Sequence, residues 1–103
     1  MDKLLKAIAN DTRLNIMVWL SNPGAHFNPK KYFEGQGVCV GLIQKKCKLS
    51  QPATSQHLAV LEKAGLVRHE KRGAWRYYYS NQKTTLKLIT FLNNKLLSES
   101  SNV

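Results

Sequence analysis

Residues 49–67 read LSQPATSQHLAVLEKAGLV, and this segment carries the signals for the start, the two faces and the end of one helix. Ser50 stands two residues before a proline, where its hydroxyl can accept backbone N–H bonds and begin a helix. Gly65 predicts the end of that helix, because glycine readily adopts the left-handed conformation that follows a helix terminus. The inner face of the helix consists of residues at helical spacing, namely Thr54, Leu58 and Leu61.

The other face of this predicted helix is polar. It presents six residues away from the leucines: Gln51, Pro52, Ser55, Gln56, Ala59 and Lys63. Glutamine places a donor and an acceptor side by side, which suits the N6/N7 edge of adenine, and serine can donate or accept. Small residues let a helix lie deep in the major groove. The pattern therefore predicts a helix that reads base edges in DNA.

A second helix is predicted directly upstream. The segment VCVGLIQKKC, residues 38–47, has Val40, Ile43 and Cys47 at helical spacing. Lys48 and the residue after it form a tight turn. Two helices joined by such a short turn make a helix-turn-helix.

Two strand-like runs follow the helix pair. LVRHEK and AWRYYYS are separated by Arg72–Gly73, which predicts a β-hairpin with its turn there. An arginine at the tip suits contact with the DNA backbone or a narrow minor groove. Most aromatic residues of the hairpin are expected to pack against the helices. Tyr78 shares a face with Arg76 and is expected to reach a phosphate. Alternatively, the Trp and Tyr rings stack on unpaired bases.

The rest of the chain completes a small helical domain. Helices are predicted over residues 3–9, over TRLNIMVWLS and over residues 84–97, and the Pro- and Gly-rich segment 22–37 is predicted to be a long loop. The fold class is mostly α with a small β-hairpin (α+β), a winged helix-turn-helix in the order α-α-α-α-β-β-α. We expect a single domain over residues 1–98 and a frayed tail over 99–103.

Charge agrees with a nucleic-acid partner. The 103 residues carry a net charge of +10, and residues 44–83 contain nine lysines and arginines but two glutamates. Such an excess favours a polyanion, with nucleic acid ahead of an anionic membrane surface. No apolar run is long enough to span a bilayer, and the N-terminus lacks the apolar core of a signal peptide. Having two cysteines is typical of a reducing cytoplasm.

These motifs together resemble a known family. LKAIANDTRLNIMVWL, LSQPATSQHLAVLEKAGLVRHEKRGAWRYYY and the closing apolar helix are similar to the ArsR–SmtB winged-helix repressors, over most of the chain except the loop at 22–37. The resemblance implies a homodimer joined by the first and last helices, an imperfect inverted-repeat operator in duplex DNA, and release when an unknown inducer binds. It places recognition contacts on Gln51, Ser55 and Gln56, and wing contacts near Arg72.

Charge, helical phase and the resemblance give two predicted residue sets. The DNA-binding set is Lys45, Lys48, Ser50, Gln51, Ser55, Gln56, His57, Lys63, Arg72 and Arg76. His57 has two interpretations, a DNA contact or a buried structural histidine. The dimer-interface set is Leu4, Leu5, Ile8, Leu88, Ile89, Leu92 and Leu96.

Metal binding is not expected. The family's Cys-Val-Cys site is here Cys39-Val40-Gly41, so one thiol ligand is missing, and the last helix lacks the family's His and acidic ligands. Cys39 and Cys47 are either small buried residues or a thiol sensor. On one intact helix they would lie about 12 Å apart, too far for a disulfide.

The sequence leaves two alternatives open. The loop residues His26, Phe27, Tyr32 and Phe33 either shape a pocket for an organic ligand or cover the dimer seam. The leading function is a sequence-specific transcriptional regulator with no cofactor and no membrane contact. The alternative is an RNA or single-stranded nucleic-acid binding module. An enzyme is not expected, because no acidic residue or paired carboxylate accompanies Ser50, Ser55 and His57.

Overall fold

The computed structural model describes residues 1–28, 35 and 37–97. The elements are α1 (Asp2–Ile8), α2 (Asp11–Ser21), α3 (Pro23–His26), β1 (Val38–Cys39), α4 (Val40–Cys47), α5 (Gln51–Lys63), β2 (Val67–Arg72), β3 (Trp75–Ser80) and α6 (Gln82–Leu96). This order confirms the predicted class, mostly helical with a β-hairpin. Tyr32, Phe33 and the predicted tail 99–103 lie outside the described residues.

Two short elements were missing from the predicted order α-α-α-α-β-β-α. The loop assigned to residues 22–37 contains α3, and the helix predicted over 38–47 begins only at Val40. Val38 and Cys39 instead form β1, opposite Tyr78 and Tyr77 of β3. A Cβ on residue 37 would lie 2.8 Å from the Tyr78 carbonyl oxygen, so the close approach to β3 requires a glycine there.

The three strands form an antiparallel sheet in the order β1-β3-β2. Arg72 pairs with Trp75, so the hairpin turn consists of Gly73 and Ala74. The predicted turn at Arg72–Gly73 is therefore wrong by one residue. Arg72 is the last residue of β2, and its side chain has the fixed direction of a strand residue.

Helix α5 is fixed at both ends by its own sequence. The Ser50 hydroxyl accepts a hydrogen bond from the Ala53 amide at 3.2 Å, which confirms the predicted cap. At the other end the amides of Leu66 and Gly65 donate to the carbonyls of Leu61 and Glu62, both at 2.9 Å. This 6→1 and 5→2 pair is a Schellman motif, and Gly65 has the required positive φ of 84°.

The core lies between α5, α2, α4 and the sheet. Thr54, Leu58 and Leu61 are fully buried, as their spacing predicted, and the Thr54 hydroxyl donates to the Ser50 carbonyl at 3.0 Å. The apolar residues of this core cluster are Ala7, Ile16, Met17, Leu20, Phe27, Val38, Ile43, Leu58, Leu61, Leu66, Val67 and Tyr78.

One expectation about the aromatic hairpin is wrong. Tyr78, which was expected to reach a phosphate, is 4% exposed because it belongs to the sheet face that packs on the helices. Trp75 is the exception among aromatics that were mostly expected to pack: it is 58% exposed because it lies next to the turn. The alternation of side chains along the strands predicts which residues share a face of the sheet. It does not predict how much of that face the core covers.

Helix α6 begins at Gln82, two residues before the predicted start, because the Asn81 side chain caps it by accepting from the Thr84 amide. Its Leu88 is 3% exposed within the single chain. Leu88 belongs to the predicted dimer-interface set, and it also lines the groove between α2 and α6. Helix α6 exposes three large apolar residues, Leu86, Ile89 and Leu96. Leu97, which follows the helix, is also exposed.

A lysine joins the helix-turn-helix to the segment after α2. The Lys46 ammonium donates to the His26 carbonyl at 2.9 Å and lies 5.4 and 5.5 Å from the ring centres of Trp19 and Phe27. Such cation–π contacts stabilise a fold by about 0.5–1 kcal/mol each at exposed sites. Lys46 therefore positions α4, the first helix of the pair.

In the described part of the chain no helix is long and apolar enough to cross a bilayer.

Candidate nucleic-acid interface

The polar face of α5 points to solvent. Gln51, Gln56 and Lys63 are exposed, and Ser55 is half-buried. Within residues 1–28 and 37–97, Gln51, Ser55 and Gln56 make no side-chain hydrogen bond. Because exposed amides with free donors and acceptors can pair with base edges without first breaking an internal bond, this face is prepared for direct readout.

Basic residues flank this face on the turn side. Lys45 and Lys48 are exposed at the end of α4 and in the turn, close to the N-terminus of α5. That end of the helix carries partial positive charge, which favours a phosphate. The Ser50 hydroxyl accepts the capping bond through one lone pair and can still donate its O–H to a phosphate.

His57 faces the interior of the domain rather than the predicted DNA side. It is half-buried, and its Nδ1 lies 3.2 Å from a terminal nitrogen of Arg13 on α2. The Arg13 guanidinium also donates to the carbonyls of Ala7 and Lys6, at 2.6 and 3.2 Å. Arg13 thus links the end of α1 to the middle of α5. This geometry favours the structural interpretation of His57 over direct contact with bases.

The two strands of the hairpin present different basic groups on opposite faces. Lys71 and Arg76 are paired across the strands and are both exposed. Arg72 lies on the other face, where it donates to the Glu70 carboxylate at 2.9 Å and approaches the Tyr79 hydroxyl at 3.4 Å. Exposed Trp75 lies beside Arg72. The predicted wing contacts are therefore accessible, but Arg72 already has an anionic partner.

The two cysteines lie at opposite ends of α4. Cys39 is in β1 and precedes the helix, so the two cysteines do not lie on one intact helix, and both thiols are free. Burial raises the pKa of the Cys47 thiol. Among the described residues no three His, Cys, Asp or Glu side chains lie close enough together to hold a metal ion.

The geometry defines a class: a winged helix-turn-helix protein with a free polar recognition helix and a basic hairpin. Comparison with known proteins gives the family. The model of the bacterial regulatory protein family arsR matches residues 31–69. The HTH-type transcriptional regulator YbzH of Bacillus subtilis is 36% identical over 91% of this chain and 96% of its own length. The chain therefore belongs to the ArsR family of bacterial transcriptional regulators.

Other relatives agree with this assignment. The putative arsenical resistance operon repressor ArsR2 of Halobacterium salinarum is 35% identical over 85% of this chain and 65% of its own length. The structure of HlyU from Vibrio cholerae is 32% identical and covers 92% of this chain and 89% of that one, with a TM-score of 0.61. The chain is thus a DNA-binding regulator and not an enzyme.

Three contacts around the site were missed from the sequence. The bond between Arg13 and His57 joins residues 44 positions apart, and no local pattern indicates it. The contacts of Lys46 were missed because nothing in the sequence distinguishes it from its neighbour Lys45. The third contact, between Glu70 and the two arginines Arg68 and Arg72, did have a signal in the sequence. The three residues alternate along β2, and this spacing alone places their side chains on one face.

Burial gives Cys47 a testable property. Because a raised pKa lowers the fraction of reactive thiolate at neutral pH, we expect Cys47 in a Cys39→Ser variant to react with iodoacetamide several-fold more slowly than cysteine in a short peptide at pH 7.5. The rate should keep rising at pH values where the peptide has levelled off, and urea should abolish the difference. Equal rates in the folded protein and the peptide would contradict this.

Proposed function

We propose that this regulator is a repressor that binds an inverted-repeat operator in duplex DNA as a homodimer and leaves it when an inducer binds. The observation that carries the proposal is the polar face of α5, exposed beside basic residues and free of internal partners. Gln51, Ser55 and Gln56 would contact base edges. The basic side chains would contact phosphates, namely Lys45, Lys48, Lys63, Arg72 and Arg76. Ser50 and His57 would position α5.

The dimer is supported by apolar surface that the single chain leaves open. Ile89 and Leu96 of α6 are 56% and 72% exposed. A groove of about 420 Å³ between α2 and α6 is lined almost entirely by apolar side chains, including Leu14, Val18 and Leu92. Contiguous apolar surface of this kind marks a protein interface. Leu4 and Ile8 of α1 already pack partly on the core, so α6 would supply most of the contact.

The regulatory sign and the inducer are the remaining parts of the proposal. ArsR2 is described as a putative repressor, and HlyU of Vibrio cholerae as a transcriptional activator. We favour repression. A reporter placed behind the promoter of the gene for this protein would then show higher expression when that gene is deleted. The absence of a resident cofactor and a cytoplasmic location stay predictions.

Base reading by α5 is tested with Gln56→Ala. Removing this amide should lower affinity for operator duplex about tenfold, equivalent to about 1–2 kcal/mol of discrimination, and leave affinity for shuffled duplex nearly unchanged. Fluorescence anisotropy at fixed salt measures both affinities, with operator obtained by selection from a random library.

Gln82→Ala is the matched control for this experiment. Gln82 is also an exposed helical glutamine, but it is the first residue of α6 and should not affect either probe. Equal loss on operator and shuffled duplex in Gln56→Ala would remove Gln56 from the base contacts. Tighter binding of the wild-type chain to a single strand than to its duplex would favour the alternative single-strand module.

The dimer surface is tested with Ile89→Lys. A charge on this exposed apolar position should convert a dimer into a monomer in sedimentation velocity at micromolar concentration, because an unpaired buried ammonium is costly. The control Thr90→Lys adds the same charge one residue further along α6, facing away from the α2–α6 groove. A dimer that survives Ile89→Lys, or that both variants disrupt equally, would contradict the proposed interface.

A further inference from the structure

A network on the outer face of the hairpin involves the only acidic residue of β2. Glu70 accepts a hydrogen bond from Arg68 at 3.1 Å through one carboxylate oxygen and from Arg72 at 2.9 Å through the other. The three residues alternate along β2 and therefore share one face. We call this set, together with Tyr79 of β3, the arginine clamp.

Tyr79 holds the clamp from the neighbouring strand. It pairs with Arg68 across the sheet, and the Arg68 guanidinium carbon lies 4.0 Å from the centre of its ring. Its hydroxyl donates to the Glu70 carboxylate at 3.0 Å. This hydrogen bond, followed by the one from Arg68, holds the pKa of Glu70 below its usual range. The carboxylate is therefore charged throughout the neutral range.

The clamp is fixed in geometry but open to solvent. The side chains of Arg68, Glu70 and Arg72 are 55%, 42% and 46% exposed. A guanidinium carries five N–H donors, so each arginine keeps several donors for an outside acceptor. An arginine that is stacked or held by a carboxylate loses less conformational entropy when it binds a phosphate.

We infer that Glu70 is a specificity-determining residue of this regulator. It positions Arg68 and Arg72 for the phosphates that the wing meets when α5 is in register, and it lowers the attraction of the hairpin for DNA in general. Holding the arginines in a fixed geometry raises affinity only in the specific complex, where the phosphates have fixed positions. On non-specific duplex, mobile arginines contact the phosphates equally well. Non-specific adhesion depends mainly on net charge. This inference rests on the proposed operator binding.

The contribution of the carboxylate is tested with Glu70→Gln, which keeps the shape of the side chain and removes its charge. Affinity for shuffled duplex should rise about threefold at low salt, since one anion leaves the binding face. Operator affinity should fall to about 0.6 of its wild-type value, because the arginines lose their support. The ratio of operator to shuffled affinity should therefore fall about fivefold.

Glu62→Gln is the matched control for charge. Glu62 is the other glutamate within residues 44–83, but its partner in the described structure is His69, at 2.7 Å. This variant should strengthen binding to both probes by similar factors and keep the ratio. If Glu70→Gln also kept the ratio, Glu70 would act through net charge alone and the inference would be overturned.

Tyr79→Phe tests positioning without any change of charge. It removes the hydroxyl that holds Glu70 and keeps the ring against Arg68. The ratio should fall in the same direction as in Glu70→Gln, by about twofold, with the melting temperature within a few degrees of wild type. An unchanged ratio in Tyr79→Phe would exclude positioning by the clamp. If library selection by wild-type protein enriched no sequence, the proposed function itself would fail.

Discussion

Burial of one face of α5 fixes the orientation of the recognition helix in the domain. Thr54, Leu58 and Leu61 have no exposed surface, and they fix the rotation of the helix about its axis. Removing one such leucine side chain typically costs about 2–5 kcal/mol, whereas truncating an exposed polar residue typically changes stability by about 0.5 kcal/mol or less. Stability and base reading are thus carried by opposite faces, so the glutamines can match an operator without disturbing the core.

Contacts outside the helix-turn-helix keep α5 and its partners in place. Arg13 satisfies two carbonyl groups at the end of α1 and reaches His57 on α5, so the proposed dimer region is linked to the recognition helix by one side chain. Lys46 performs a similar task for α4. Because a base contact tolerates little displacement, supports of this kind matter more for recognition than their modest individual energies suggest.

Local signals were sufficient for the parts of the fold that depend on near neighbours. The Ser50 cap, the Gly65 terminus and the leucine face of α5 follow from residues within one helix, and each was predictable. β1 was not, because Val38 becomes a strand only through pairing with Tyr78, forty residues later. The burial of Tyr78 and the exposure of Trp75 depend on where the core ends. The candidate site followed the same division: the face of α5 and the alternation of Arg72 with Glu70 were predictable, but the partner of His57 lies on α2 and the Tyr79 contact of Arg72 lies across the sheet.

In the proposed complex, α5 enters the major groove while a second subunit does the same one helical turn away. Dimethyl sulfate footprinting tests this arrangement directly, because the reagent methylates guanine N7 in the major groove and adenine N3 in the minor groove. On operator duplex that carries guanines in both half-sites, we expect N7 protection in two patches about 34 Å apart along the axis. Protection of adenine N3 alone, or of a single N7 patch at saturating protein, would contradict it.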